Sequence, residues 1–407
     1  MVKIFLDNSA TTPTDKKVFE AMKPWFLNDF GNPSSIHSFG VKAKNAVEDA
    51  RKVVAGFLNA RSKEIIFTSG GTEANNLAIF GTVQKLIDDG RKPEEIEIIT
   101  TEIEHSSVLE CLKELEKRGV KIKYLSVSPE GLVEPRNLRK IINKNTALVT
   151  VGYANSEIGT VQLVREIAKE IRHARKGLGI QNRYPYFHID ASQAGQYLNM
   201  NVEELGVDLV TLDAQKMYGP KGVGALFVKD GIQIKPMIFG GGQENGMRAG
   251  TENVALIAGF AKAIEICRKG ETLNLKKGLS LATTKEAKRV GKLKDEFFEQ
   301  LKKFVPSAII NGPLSNRLPN NINISIPGKS GEFMVLQLDE EGIICSSASA
   351  CESDLGSSRV VKIIASKSDA TKEEISKRAE GSLRFSLGRS TKSSDIKKLL
   401  KSLQKLI

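Results

Sequence analysis

Residues 64–79 read "EIIFTSGGTEANNLAI", and this stretch decides the fold. Residues 64–68 carry the β-branched and aromatic side chains of a strand. A helix is predicted to begin almost at once, over residues 73–86. Between them, Gly70 and Gly71 let the backbone approach an anion closely, and Thr72 offers a hydroxyl beside the free N–H groups of a helix N-terminus. Such a junction can cradle a phosphate, although a plain capped helix start fits these residues equally well. Neither a Gly-Lys-Ser/Thr ending nor a GxGxxG spacing is present, so nucleoside triphosphates and dinucleotides are not indicated.

Outward from this stretch, short apolar runs alternate with helical patterns. Strands are predicted at 96–100, 121–125, 147–153, 185–190, 207–212 and 223–228, and helices at 107–118 and 163–174. Near-continuous apolar strands separated by helices predict an α/β fold: a mostly parallel, seven-stranded sheet covered on both faces. Two strands follow one another within 207–228 with only a Gly/Pro loop between them, which predicts one antiparallel edge. Beyond a helix at about 253–267, a second, smaller α+β lobe is expected. The predicted division is a large domain of 15–262 and a small domain of 1–14 with 263–407, the latter carrying a mobile cysteine loop.

The 407 residues include 60 Lys and Arg against 48 Asp and Glu, a net charge of +12. Residues 262–304 hold 12 Lys/Arg and 6 Asp/Glu, half of that excess. A charge concentrated in this way reads as a solvated helical face or a docking surface for an acidic protein, and nucleic acid is disfavoured. No apolar run approaches membrane-spanning length, and residues 1–13 lack signal-peptide character, so a cytoplasmic location is expected. The four cysteines, Cys111, Cys267, Cys345 and Cys351, are expected to be free thiols, and their spacing indicates no metal site.

Ligands of parallel α/β sheets sit beyond the carboxyl ends of the strands. Strand 185–190 ends at Asp190, which could cap a helix or hold a protonated ring nitrogen. Strand 207–212 leads to Lys216, ahead of a turn rich in Gly and Pro; it is either a surface lysine or an amine available for a Schiff base. A phosphate cradle, an acid and a lysine at three separate strand ends are the groups a pyridoxal 5′-phosphate enzyme needs.

With these residues in place, the chain resembles the cysteine desulfurases, in the class V aminotransferase branch of fold-type I pyridoxal-phosphate enzymes. The resemblance is carried by "LDNSATTP" at the start, "FGNPSSIH" (30–37), "FTSGGTEANNLAI" (67–79), "EHSSVL" (104–109), "ANSEIGTVQ" (154–162), "HIDASQ" (188–193), "KMYGPKGVGAL" (216–226), "GGGQENGMRAGT" (240–251), "SSASAC" (346–351) and "LRFSLGR" (383–389). It implies that Lys216 holds the cofactor covalently and later moves the Cα proton. It also implies that Asp190 pairs with the ring nitrogen, that Gln193 and Asn155 reach the phenolic oxygen, and that His105 stacks on the ring. Gly71 and Thr72 would hold the phosphate with Gln215 beside them, and Thr251 would reach it from the second subunit of a homodimer. Arg384 would bind the carboxylate of L-cysteine. Outside this context His105 would read as a capping histidine and Arg384 as a surface strand residue.

The same resemblance makes Cys351 the sulfur acceptor, carried on "SSASACE" (346–352), a segment of small residues suited to movement. Its persulfide would feed an iron–sulfur scaffold, tRNA thiolation or another sulfur-acceptor protein. Cys345 lies in an apolar run and reads as a buried small hydrophobe. Glu352 and Asp354 disfavour a resting Cys351 thiolate. The chain departs from the family at Asp213-Ala214-Gln215, where Ser-Gly-His is usual, and at Gln243, which stands for another histidine. An ionised Asp213 aimed at the phosphate would repel it. Rival readings are a selenocysteine lyase or aminotransferase of the same fold, a cofactor-free sulfur-relay or scaffold protein, and an RNA-binding protein using residues 262–304.

Overall fold

The computed structural model describes residues 3–179, 184–268, 284–347 and 356–406. In chain order the first part consists of strand β1 (Ile4–Phe5), helices α1 (Lys16–Leu27) and α2 (Ser38–Leu58), β2 (Ile65–Thr68), α3 (Gly71–Asp88), β3 (Glu97–Thr101), α4 (Ser106–Lys117) and β4 (Lys121–Leu125). Next come α5 (Pro135–Ile141), β5 (Thr146–Gly152), α6 (Val164–Gly177), β6 (Tyr186–Asp190), α7 (Val202–Leu205), β7 (Leu209–Asp213), β8 (Gly224–Val228) and α8 (Val254–Arg268). The remainder is α9 (Lys285–Phe304), β9 (Ile309–Ile310), β10 (Asn321–Ser325), α10 (Gly331–Glu340), β11 (Ile343–Ile344), α11 (Arg359–Ala365), α12 (Lys372–Glu380), β12 (Ser382–Ser386) and α13 (Ser393–Lys405).

Seven strands form the central sheet in the order β2-β8-β7-β6-β5-β3-β4. In β5 the side chains alternate between two cores. Leu148 packs on the side of α3 and α4, while Val149 and Val151 join the other core with α2, α6 and α8. Each such side chain, fully buried, contributes roughly 1.5–3 kcal/mol. Helix α6 buries Val164, Ile167, Ala168, Ile171 and Ala174, one face at helical spacing, and leaves its charged residues in water.

The expectation of an antiparallel edge needs correction. The reversed strand, β8, is not at the edge but second in the sheet, antiparallel to both β7 and β2. Two reversals restore the direction of β2, so its carboxyl end falls at the same end of the sheet as those of β3, β5, β6 and β7. This places the glycine turn and the N-terminus of α3 beside the ends of the other strands. Gly70 adopts φ 151°, a backbone conformation that favours glycine.

Elsewhere β12, β10 and β9 make a three-stranded antiparallel sheet, and β1 pairs in parallel with β11.

Candidate active site

A cavity of about 240 Å³ opens beyond the carboxyl ends of the central strands. Of the residues singled out in the sequence, Gly71, Thr72, His105, Asn155, Asp190, Gln193, Gln215, Lys216 and Arg384 all line it. Thr251 does not. It is exposed and lines a separate hollow with Thr68, Arg248 and Ile257. Cys351 lies outside the described residues.

Asp190 ends β6 opposite Gly152 of β5 and Thr211 of β7. Its Oδ2 accepts from Asn75 Nδ2 at 2.8 Å and its Oδ1 from the Ser192 amide at 2.9 Å, so the carboxylate is held on both oxygens. Behind it, His188 is fully buried between the Thr150 and Thr211 hydroxyls, and burial lowers its pKa to about 4, leaving the ring neutral. Lys216 follows β7 on a short 3-10 turn, and its Nζ donates to the carbonyls of Ser9 and Ala10 at 2.8 and 2.7 Å. The same Ser9 carbonyl accepts from Gln193 Nε2 at 3.0 Å. The segment after β1 is thus part of the site.

His105 does cap α4, its Nδ1 accepting from the Ser107 amide at 3.1 Å, while its ring faces the cavity. The two readings of this residue are compatible. An accepting Nδ1 leaves the proton of the neutral ring on Nε2. Asn155 is bound into its own turn, accepting from the Glu157 and Ile158 amides and donating to the Ile103 carbonyl.

Arg384 is not the surface strand residue that its position alone suggests. It is 1% exposed, on β12, with Nη2 donating to Asp7 Oδ1 at 2.9 Å, and its Nε is buried without a partner. The Ser346 and Arg384 backbones exchange hydrogen bonds, so the segment leading towards Cys351 starts beside the main chain of this residue. On the far side of that segment, Arg359 lines the cavity and donates to the carbonyls of Glu102 and Glu104 at 2.5 and 2.8 Å. Cys345 is buried, and burial pushes its thiol up to about 12.

Several site residues escaped the sequence reading. Asn75 stands one helical turn beyond Gly71, within the stretch that defines the fold, and Asp7 lies within "LDNSATTP". Glu104 precedes His105. It is fully buried, and desolvation pushes its carboxyl up to about 7 despite hydrogen bonds from the Thr101 hydroxyl and the Gly152 amide. Arg359 carries no local signal, because its role depends on contacts with residues far away in sequence.

These residues fit a phosphorylated pyridine cofactor. Gly71 is bare where the anion would lie: a Cβ there would come within 2.9 Å of Ser192 Oγ. A carboxylate held on two sides, a partly buried amine and a histidine ring border the same space. Asp213 is the one discordant group, since it too faces the cradle. Among the described residues there is no cluster of His, Cys, Asp and Glu that could hold a metal ion, and no helix long and apolar enough to cross a membrane.

Comparison with known proteins agrees with this geometry. Residues 4–399 match the family model "Aminotransferase class-V". "Cysteine desulfurase IscS" of Dictyoglomus turgidum is 44% identical over 407 residues, covering 100% of this chain and 94% of its own. "Cysteine desulfurase IscS 1" of Archaeoglobus fulgidus is 37% identical, covering 99% and 96%. Among solved structures, a "NifS-like protein" superposes with a TM-score of 0.85 at 32% identity, covering 100% of this chain and 99% of that one. "SspA in complex with cysteine" superposes with a TM-score of 0.76 at 32% identity, covering 95% and 99%. The chain belongs to the class-V aminotransferase family and, within it, to the pyridoxal-phosphate-dependent cysteine desulfurases.

Proposed function

We propose that this enzyme moves the sulfur of L-cysteine onto Cys351, releasing L-alanine. The observation that carries the proposal is the convergence of Lys216, Asp190 and the Gly71–Thr72 cradle on one cavity whose other wall holds Arg384. Pyridoxal phosphate, when bound, supplies an electron sink that acidifies the substrate Cα–H. Lys216 would hold the cofactor and carry the Cα proton. Asp190, oriented by Asn75 and Ser192, would keep the ring nitrogen protonated. Gln193 and Asn155 would face the phenolic oxygen and His105 the ring. Arg384 would take the substrate carboxylate, a task suited to a guanidinium.

Cys351 would attack the substrate sulfur, forming the S–S bond as the Cβ–S bond breaks. One L-cysteine and one thiol then give one L-alanine and one persulfide. Ser347 and Gly356, the described residues nearest to Cys351 on either side, support this reading. Cys351 is the fourth residue after Ser347, a reach of about 13–14 Å when extended, and Ser346 is hydrogen-bonded to Arg384.

The proposal extends to a cytoplasmic homodimer that delivers sulfur to an iron–sulfur scaffold or another acceptor protein. Exposed apolar side chains support self-association: Ile36 is 97% and Phe239 82% exposed, with Phe26, Leu27 and Phe30 nearby in sequence. Thr251, outside its own chain's cavity, would then serve the partner's. The pairing of β1 with β11 supports a small domain of residues 1–14 and 263–407 beside a large one of 15–262.

The test supplies L-cysteine and pyridoxal phosphate, then measures alanine together with protein persulfide. The wild type should form both, Cys345→Ala should form both, and Cys351→Ala neither. Alanine formed with no persulfide on Cys351 refutes the assignment. Loss of the visible absorbance of the bound cofactor in Lys216→Ala checks the tether.

A further inference from the structure

Asp213 is the residue that the cofactor reading leaves unexplained. It closes β7 and is 7% exposed. Its Oδ2 lies 3.5 Å from where a Cβ on Gly71 would stand, against the first turn of α3, and Ser192 Oγ lies 2.9 Å from the same point. The carboxyl therefore borders the space where a phosphate would sit. Gln215 fixes it there. Its backbone amide donates to Oδ1 at 3.3 Å, and its side-chain Nε2 donates to Oδ2 at 3.1 Å. Thr11 in turn donates to Gln215 Oε1 at 3.2 Å, which pins the amide's orientation.

A carboxylate and a phosphate cannot share this pocket as bare anions. Like charges in contact repel, and the more strongly where burial excludes water. The groups around Asp213 do not remove the conflict. Lys216, on its own turn, is the cation that opposes protonation, whereas Asp190 on β6 favours it. His188 on β6 is neutral, and Glu73 in the first turn of α3 is engaged by Arg248 and the Ser69 amide. The free N–H groups of α3 favour an anion, but a phosphate would take them. Burial raises the Asp213 carboxyl above its ordinary range even before a phosphate enters.

We propose that Asp213 binds the cofactor's phosphate as a neutral acid, the pair sharing one proton, so that cofactor retention weakens as pH rises. The inference rests on the cofactor reading above and deepens it. Above the pH at which the free carboxyl titrates, every binding event must take up a proton. Affinity should then fall about tenfold per pH unit.

The experiment titrates the cofactor-free protein with pyridoxamine 5′-phosphate by calorimetry from pH 6.5 to 9. This probe has no aldehyde, so the titration of Lys216 in a covalent link does not enter. Calorimetry at pH 8.5 in two buffers of different ionisation enthalpy counts the protons taken up. The wild type should take up about one more proton than Asp213→Asn, whose amide keeps a donor but cannot titrate. Asp213→Asn should bind more tightly than the wild type at pH 9 and show a flatter pH profile. Equal proton uptake and parallel profiles overturn the inference. If Asp213→Asn does not fold, the same one-proton difference is read in the wild type between pyridoxamine 5′-phosphate and pyridoxamine, and equality there is equally fatal. Absence of pyridoxamine 5′-phosphate binding at any pH would sink the cofactor reading as well, whereas binding without proton uptake sinks this inference alone.

Discussion

Asp7 and Arg384 join the two ends of the chain through an ion pair of 2.9 Å, in which a half-buried carboxylate meets a guanidinium buried at the wall of the active-site cavity. Asp7 follows β1, whereas Arg384 lies on β12, more than three hundred residues later. The carboxylate engages Nη2 and so holds the guanidinium in place at the cavity wall.

Asp7→Asn should therefore act in two ways. Removing the half-buried partner of the buried guanidinium should cost up to about 3 kcal/mol, which denaturant unfolding will measure. The loosened guanidinium should also raise KM for L-cysteine about tenfold or more, the value of one charge-assisted hydrogen bond, with a smaller change in kcat. An unchanged KM would separate Arg384 from substrate binding.

Gly71→Ala should weaken cofactor binding far more than the fold. Gly71 opens α3, where alanine is favoured over glycine by up to about 1 kcal/mol. The new methyl group, 2.9 Å from Ser192 Oγ, would fill the anion's place. We expect at least about a tenfold loss of pyridoxal-phosphate affinity, or 1.4 kcal/mol, measured by equilibrium dialysis. Thermal unfolding of the cofactor-free protein should fall only slightly, since the Ser192 hydroxyl can rotate away from the methyl group.

Glu104 makes stability depend on pH. Its carboxyl is raised from 4.5 to about 7 in the folded protein. Between these values the folded state binds a proton that the unfolded state has lost, so stability falls as pH rises from 4.5 to 7 and then levels off. The loss is about 3 kcal/mol. Glu104→Gln removes this contribution. Unfolding at pH 5 and pH 8 should show the variant gaining on the wild type by that amount, and a constant difference would contradict the assignment.

The cysteines should differ in reactivity. Burial pushes both Cys111 and Cys345 up to about 12, so at pH 8 only about one thiol in ten thousand is ionised in each. Brief treatment of the folded protein with iodoacetamide, mapped by mass spectrometry, should label Cys351 and spare these two. Rapid labelling of Cys345 would make it the competing sulfur acceptor.

The central strands are legible in the sequence because each is an apolar run bounded by glycine, proline or charge, and the site residues stand just beyond those runs. What a run does not encode is its neighbour. The segment 223–228 announces a reversal, but only long-range pairing places β8 between β7 and β2. Arg384 shows the same limit. Its strand is short and carries a charge mid-way, so exposure is the natural reading until β10, Asp7 and Ser346 close around it. Asp213 stands out in the sequence as an unusual residue, but its direction does not, since that depends on Gln215 and Thr11.

The position of β8 also bears on when the protein can come to life on the ribosome. Among the described residues, strand β2, which leads into the anion turn, is hydrogen-bonded in the sheet only to β8, whose residues 224–228 are synthesised long after it. Until they emerge, the turn at Gly71 has no neighbouring strand to hold it, and closure of so long a loop is slow. Arg384 arrives later still. The nascent chain is thus unable to capture its coenzyme early, and vitamin loading becomes an event of the finished polypeptide.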